Sequence, residues 1–295
     1  MGLNAMFEEM LDSVKNTLQE SCGNILSDTF AYLNVRVNEV GGLTSQTPQS
    51  WNGVIFNFID TLSDNVIIPI AGIIISYVLI YELISMIMDK NNFHEFDTSL
   101  FIRYIFKAAI AVMLVSHTDE IVEAIFEVGG QIAAQATVQI TGDLDISVGD
   151  KLKDMLAENY ADMELMELLG DFIMSLVVYI AVQIMGIYIA IIMYGRFMEI
   201  YLYMSVAPIP FATFGNKEWG QIGTNYIKSI LGLAFQGFLI MACIGIYSTL
   251  ISSLGTEIEG RAFTDALFQI LIYTVLLAVT IGKTGSFAKS IFGAH

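Results

Sequence analysis

Residues 172–194 and 230–250 run 23 and 21 residues without one charged side chain, and residues 66–88 run 23 with Glu82 as the sole charge. A helix rises about 1.5 Å per residue, so about 20 apolar residues cross a bilayer core about 30 Å thick. Each run is long enough to do so. A fourth uncharged run, 266–282, reaches the same length when residues 263–265 are added. Helices buried in soluble proteins are rarely this long and this free of charge, so the chain is built around membrane spans. Its composition, 55% hydrophobic and 15% charged, lies well away from the roughly 25% charged of an average globular domain.

Charge is segregated in the same pattern. Of the net charge of −17, residues 1–65 carry −6 and residues 116–171 carry −11, while elsewhere nine acids meet nine bases. Such segregation suits a protein living in two solvents, with two acidic parts facing one aqueous side. No secretory signal opens the sequence, because Glu8, Glu9 and Asp12 precede any apolar run; insertion is expected to be directed by the internal spans. Gly2 follows Met1, but the myristoylation pattern needs Ser or Thr where Met6 stands. Cys22 and Cys243 are the only cysteines, one in the acidic N-terminal stretch and one in an apolar run. Neither a disulfide nor a cysteine metal site is expected from them.

Residues 1–65 read as an acidic, amphipathic, extracytoplasmic helical region. Phe7, Met10, Leu11, Val14, Leu18, Ile25, Leu26, Phe30, Leu33, Val37 and Val40 recur near steps of three and four, until Gly41, Gly42 and Pro48 end the pattern. Residues 66–118 read as a transmembrane hairpin. Its second arm, 100–118, contains Arg103 and Lys107, both within two turns of the polar connection 89–99 and able to snorkel. Reflecting the hairpin about His94 brings Glu82 to the depth of Lys107. Glu82, Arg103 and Lys107 are therefore candidates for an intramembrane charge pair, because an unpaired carboxylate there is costly or stays protonated; a proton or ion relay is the alternative use. Residues 119–171 read as an acidic extracytoplasmic helical region, divided into short helices at Gly129-Gly130, Gly142 and Gly149. In its last part Leu152, Met155, Leu156, Met163, Met166 and Leu169 form an apolar stripe that must pack on something. Residues 172–295 read as a cluster of membrane helices.

Within that cluster, segment 197–214 is apolar but holds Glu199, Pro208 and Pro210. Paired prolines remove backbone donors and disfavour straight helix, and a broken or re-entrant segment is tolerated where neighbouring helices bury it. If it does not cross, five spans place eight cations (Lys90, Arg103, Lys107, Arg196, Lys217, Lys228, Lys283 and Lys289) on one side, and five, embedded among acids, on the other. That split matches the positive-inside rule with the N-terminus outside and the C-terminus inside. The expected fold is all-α: a polytopic integral membrane protein with about five transmembrane helices, one proline-broken or re-entrant segment, and helical extramembrane regions. Multi-pass residence in the cytoplasmic membrane, among its lipids, follows.

Two strings look catalytic and fail. Gly282-Lys283-Thr284 resembles the end of a phosphate-binding loop, but Leu277 stands where that loop needs a glycine. His94-Glu95 begins a zinc-protease pattern whose second histidine would fall at Thr98. With His94, His117 and His295 as the only histidines, there is little material for a general base or a metal centre. No catalytic residue, metal site, cofactor, enzymatic activity or soluble small-molecule ligand is expected. Polar residues inside the spans say more. Gln183, Gln236 and Gln269 are candidates for helix packing through side-chain amides, or for lining an aqueous path. Gly186 and Ala190 form a small-residue pair suited to close helix approach. Arg196 and Glu199, one turn apart, are a candidate interfacial pair.

Arg196 leads through Met204-Ser205-Val206-Ala207-Pro208-Ile209-Pro210-Phe211 to Trp219. This resembles the proline-containing membrane segment, followed by an aromatic, of the TrbL-like family of polytopic channel subunits in type IV secretion and conjugation machines. The order of features is similar too: a soluble N-terminal stretch, a span pair, a large extracytoplasmic centre, then clustered spans. Only residues 283–295 follow the last run, so the resemblance does not extend to the long hydrophilic tail of many members. The resemblance implies an integral-membrane channel or scaffold subunit of a conjugative apparatus, supporting DNA or protein translocation. It also implies other secretion-channel subunits and copies of itself as partners, with transient contact to the transferred DNA or protein. Physical chemistry adds a constraint: a −11 region repels phosphate, and no basic, aromatic-interleaved surface is present. Two other readings fit the residues. One is a small-molecule or ion transporter using Glu82, Lys107 and the proline segment; the other is a membrane anchor for an extracytoplasmic partner.

Overall fold

The computed structural model describes residues 2–88, 98–141, 152–154, 156, 157, 163–257 and 263–294. His94, Gly142, Gly149 and Met155 lie outside the described residues. Among the described residues the chain is helical without strands. In order, α1 is Gly2–Thr44, α2 Pro48–Trp51, α3 Gly53–Leu62, α4 Ile68–Met88, α5 Thr98–Ser116, α6 Thr118–Thr141, α7 Leu165–Val206, α8 Pro208–Phe211, α9 Gly220–Glu257 and α10 Phe263–Ile291. A π turn at Ser63–Ile67 continues α3 into α4, and a 3-10 turn at Ala212–Gly215 follows α8.

Among the described residues four helical stretches are long and apolar enough to cross a membrane: Gly53–Met88, Leu165–Val206, Gly220–Leu254 and Phe263–Ile291. α5, 19 residues with Arg103 and Lys107 in it, is not among them. α7 has 42 residues, about twice the length that spans the hydrocarbon core, so both its ends need not lie in lipid. Segment 197–214 is no separate span: its first half completes α7, and α8 with the 3-10 turn reverses the chain into α9.

The chain divides into two compact units. One comprises Met1–Gly42, Ala134–Met193 and Leu239–Lys283. Here Cys22, Leu26, Phe30, Leu33, Val37 and Val40 of α1 are buried at steps of three and four, whereas Phe7, Met10 and Val14 stay exposed. Only the second half of the apolar stripe is therefore covered. α1 runs parallel to α7: Cys22 Sγ lies 3.2 Å from Ser175 Oγ, and Tyr32 sits over Gly186, where any Cβ would meet its ring. The Gly186 notch thus takes a tyrosine, not a neighbouring backbone. Burial pushes the Cys22 thiol up, so it is an unreactive packing group. Leu152 and Leu156 are buried but Met166 is exposed, so that stripe is only partly covered.

The other unit comprises Leu43–Ala133, Tyr194–Phe238 and Thr284–His295. Its core joins Ala71 and Ile75 of α4, Ala111 and Val115 of α5, Val122 and Phe126 of α6, and Phe197, Ile200 and Phe211 of α7 and α8. Gly129-Gly130 does not divide α6 into short helices, because α6 runs through both residues. The reason is close packing. A Cβ on Gly129 would lie 2.7 Å from the Ala234 carbonyl of α9, and one on Gly130 2.8 Å from the Ser45 carbonyl. Glycine is here a packing residue, and the rest of α6 carries the roughly 1 kcal/mol it loses against alanine.

Candidate functional site

The reversal between α7 and α9 is built residue by residue. Pro208 and Pro210 offer no N–H, and Ala207 closes a tighter bond to the Met204 carbonyl, ending α7. The Thr213 hydroxyl donates to the Pro210 carbonyl at 2.7 Å and accepts from the Gly223 N–H at 3.1 Å. Asn216 then caps α9, its Oδ1 accepting from the Glu218 and Trp219 N–H groups at 2.8 and 3.1 Å. α9 returns antiparallel to α7: Tyr226 donates to the Tyr203 carbonyl at 2.7 Å, and Arg196 reaches the Leu233 carbonyl. Pro208 is buried, and Trp219, partly exposed, meets Tyr77 edge-on at 5.9 Å.

Glu82 belongs to the buried face of α4, in register with Ala71, Ile75 and Val78. Its Oε1 accepts from Lys107 Nζ at 2.5 Å, and its Oε2 accepts from Asn216 Nδ2 at 2.8 Å. One carboxylate therefore ties α4, α5 and the proline turn together. The two partners differ in exposure: the Glu82 side chain is 7% exposed and that of Lys107 47%. Arg103, a turn earlier on α5, is exposed and outside this cluster. Asn216, missed in the sequence, is the third member; its one legible signal is an Asx residue just ahead of a helix start.

Arg196 and Glu199 do not pair. Arg196 faces inward, 4% exposed. Its Nε donates to the Leu233 carbonyl at 3.2 Å and its Nη2 to the Ala234 carbonyl at 3.5 Å, while Nη1 has no hydrogen-bond partner among the described residues. Glu199 turns the other way and binds Lys289 of α10. Three residues advance a helix by about 300°, which leaves the two about 60° apart, so it is the neighbours that separate them: α9 covers Arg196 while Lys289 draws Glu199 away. Gly237 makes room for the guanidinium, since a Cβ there would sit 3.2 Å from Nη2 and 3.2 Å from the Thr44 carbonyl. Nearby, Trp51 stacks on Phe197 at 4.5 Å with planes 3° apart. The Tyr201 hydroxyl donates to the Pro48 carbonyl at 2.8 Å, pinning the capped corner between α2 and α3, where Asn52 Oδ1 accepts from the Val54 and Ile55 N–H groups.

The three glutamines have different surroundings. Gln236, buried, donates to Thr284 Oγ1 at 3.5 Å and links α9 to α10. Gln269 donates to Tyr273 of its own helix at 2.8 Å, and Gln183 is half-buried.

Apolar side chains point outward along α4 (Ile73, Tyr77, Ile80), α7 (Ile180, Ile184, Ile187) and α10 (Ile272, Val275, Leu276), while the carboxylate and guanidinium above point inward. That inversion of the soluble pattern defines a polytopic, all-α membrane protein. A family model described as TrbL/VirB6 plasmid conjugal transfer like protein matches residues 33–208, and the chain belongs to that family. The match runs from the second half of α1 to Pro208; Pro210 and Trp219 follow it. No curated protein and no solved structure matches the chain. Membership makes it a membrane subunit of a conjugal transfer or type IV secretion apparatus.

Proposed function

We propose that this chain is a channel or scaffold subunit seated in the cytoplasmic membrane, supporting DNA or protein translocation by a conjugative type IV secretion apparatus. The family match over residues 33–208 carries the proposal. In this reading α5 crosses as a fifth span beside the four, so the N-terminus lies outside and the C-terminus inside, and residues 66–118 and 172–295 form the membrane part. The acidic regions 1–65 and 119–171 are turned to the extracytoplasmic side, toward other subunits and further copies of the chain. Glu82, Lys107 and Asn216 brace the proline turn against the hairpin, giving the bundle a stiff corner that subunit contacts can load. The acidic regions do not touch the transferred polymer if it is DNA, since like charge repels phosphate.

The test is transfer of a mobilisable element from a donor lacking this chain, with and without complementation in trans. Transfer lost and restored, with the other machine components still present, is the expected result. Undiminished transfer would overturn the reading and leave the transporter model, in which Glu82→Gln abolishes solute uptake.

A further inference from the structure

A cleft of about 530 Å³ opens in the second unit between α5, the proline turn and the start of α9. Its walls are apolar, formed by Ile110, Leu114, Phe211 and Phe214 among others, and its charged groups among the described residues are Lys107 and Lys217. In a chain with 30 acids against 13 bases, a cavity whose described lining holds two cations and no anion is a departure from the prevailing charge. Glu82 lies behind Lys107 without lining the cavity. Half of the Lys107 side chain remains exposed although its ammonium is paired with Glu82, and an ammonium carries three donors. Lys217 is exposed, while the adjacent Glu218 turns away to accept from Tyr81 on α4 at 3.1 Å.

Depth is marked by aromatic residues. Trp219, two residues past Lys217, contacts Tyr77, and Tyr81 holds Glu218. Trp and Tyr with one apolar and one polar end collect where hydrocarbon meets water. A cleft at that level faces headgroups with its lysines and acyl chains with its walls. Its volume falls within the roughly 300–1,000 Å³ of small-ligand sites, enough for part of a lipid.

We propose that this cleft is a binding site for an anionic phospholipid, the phosphate held by Lys107 and Lys217 and one acyl chain laid against Leu114, Phe211 and Phe214. A neutral or zwitterionic lipid of the same chain length lacks the net charge the lysines select. The site lies on the turn braced by Glu82, so lipid occupancy and the α7–α9 reversal are mechanically connected.

The test uses the full-length chain purified in neutral detergent, titrated with dioleoyl phosphatidylglycerol or dioleoyl phosphatidylcholine and read by native mass spectrometry. Phosphatidylglycerol is expected to bind saturably and in preference to phosphatidylcholine. Lys217→Gln, at an exposed residue outside the Glu82 pair, is expected to weaken that binding about fivefold. Leu114→Trp, which fills the cleft without changing its charge, should abolish saturable binding. Water-soluble glycerophosphoglycerol should not compete. Equal binding of the two lipids, an unaltered affinity in Lys217→Gln, or competition by glycerophosphoglycerol as strong as by the lipid would each overturn the proposal.

Discussion

Removing Lys107 is expected to damage the protein more than neutralising Glu82, although the two form one ion pair. In Lys107→Met the Glu82 carboxylate, 7% exposed, keeps only Asn216 Nδ2 at 2.8 Å and cannot turn to solvent. Stranding one member of a buried pair costs about 3–5 kcal/mol; with one hydrogen bond retained, the low end, about 3 kcal/mol, is the expectation. In Glu82→Gln the group left alone is Lys107, 47% exposed, which water and headgroups can solvate. The glutamine amide still accepts from Asn216, so the loss is about 1 kcal/mol, that of an ordinary hydrogen bond. Combining Glu82→Gln with Lys107→Met removes both charges while leaving Asn216 Nδ2 an amide acceptor, and the double variant should return to within about 1 kcal/mol of wild type, since no buried charge is left unpaired. Reversible unfolding of the purified chain in mixed micelles, with denaturing detergent as the variable, measures all three. Equal losses in the two single variants, or a double variant no better than Lys107→Met, would refute the unequal-exposure reasoning.

Further outcomes can be checked in the same preparation. Gly129→Val should destabilise by about 1–3 kcal/mol, because its Cβ would stand 2.7 Å from the Ala234 carbonyl. Gly42→Ala, with nothing within 4 Å of the added carbon, should instead stabilise by about 0.5–1 kcal/mol; thermal scans of both separate packing from propensity. Burial, then the neighbouring Asp60 and Asp64, push the Asp119 carboxyl up to about 6. The folded state therefore holds its proton more tightly than the unfolded chain, whose carboxyl titrates near about 3.9. Stability is expected to fall as pH rises from about 4 to 6 and then to level off, by about 1 kcal/mol after discounting for partial exposure. Asp119→Asn should flatten that slope in scans across the window. Arg196→Met, which exchanges a buried guanidinium with no acidic partner among the described residues for an apolar chain, should leave unfolding free energy within about 1 kcal/mol of wild type or raise it, as micelle titration would show.

Much of this architecture was legible from local pattern. Runs of 21–23 residues with one charge or none can be satisfied only by helices that bury their own backbone bonds in lipid. Pro208 and Pro210 announced the break, since a missing N–H acts on the helix that contains it. Placing Glu82 and Lys107 at one depth needed only the rise per residue and a midpoint. Asn216, 134 residues from Glu82 in sequence, was invisible to such reasoning, because nothing local marks which turn will fold back over which helix.

Tertiary packing decided the rest, and in two places reversed a local inference. Gly129-Gly130 carries a helix-breaking signature, yet the approach of α9 and of Ser45 makes glycine the residue that fits inside α6. Arg196 and Glu199 are spaced to pair, yet the packing of α9 buries one while Lys289 of α10 claims the other. Sequence by itself determined that the chain is helical, membrane-spanning and broken at the prolines, because hydrophobicity, charge and missing donors act at each residue whatever surrounds it. Partner choice belongs to the assembled structure: a charge or a glycine has its meaning set by the atoms that a distant segment brings within about 4 Å.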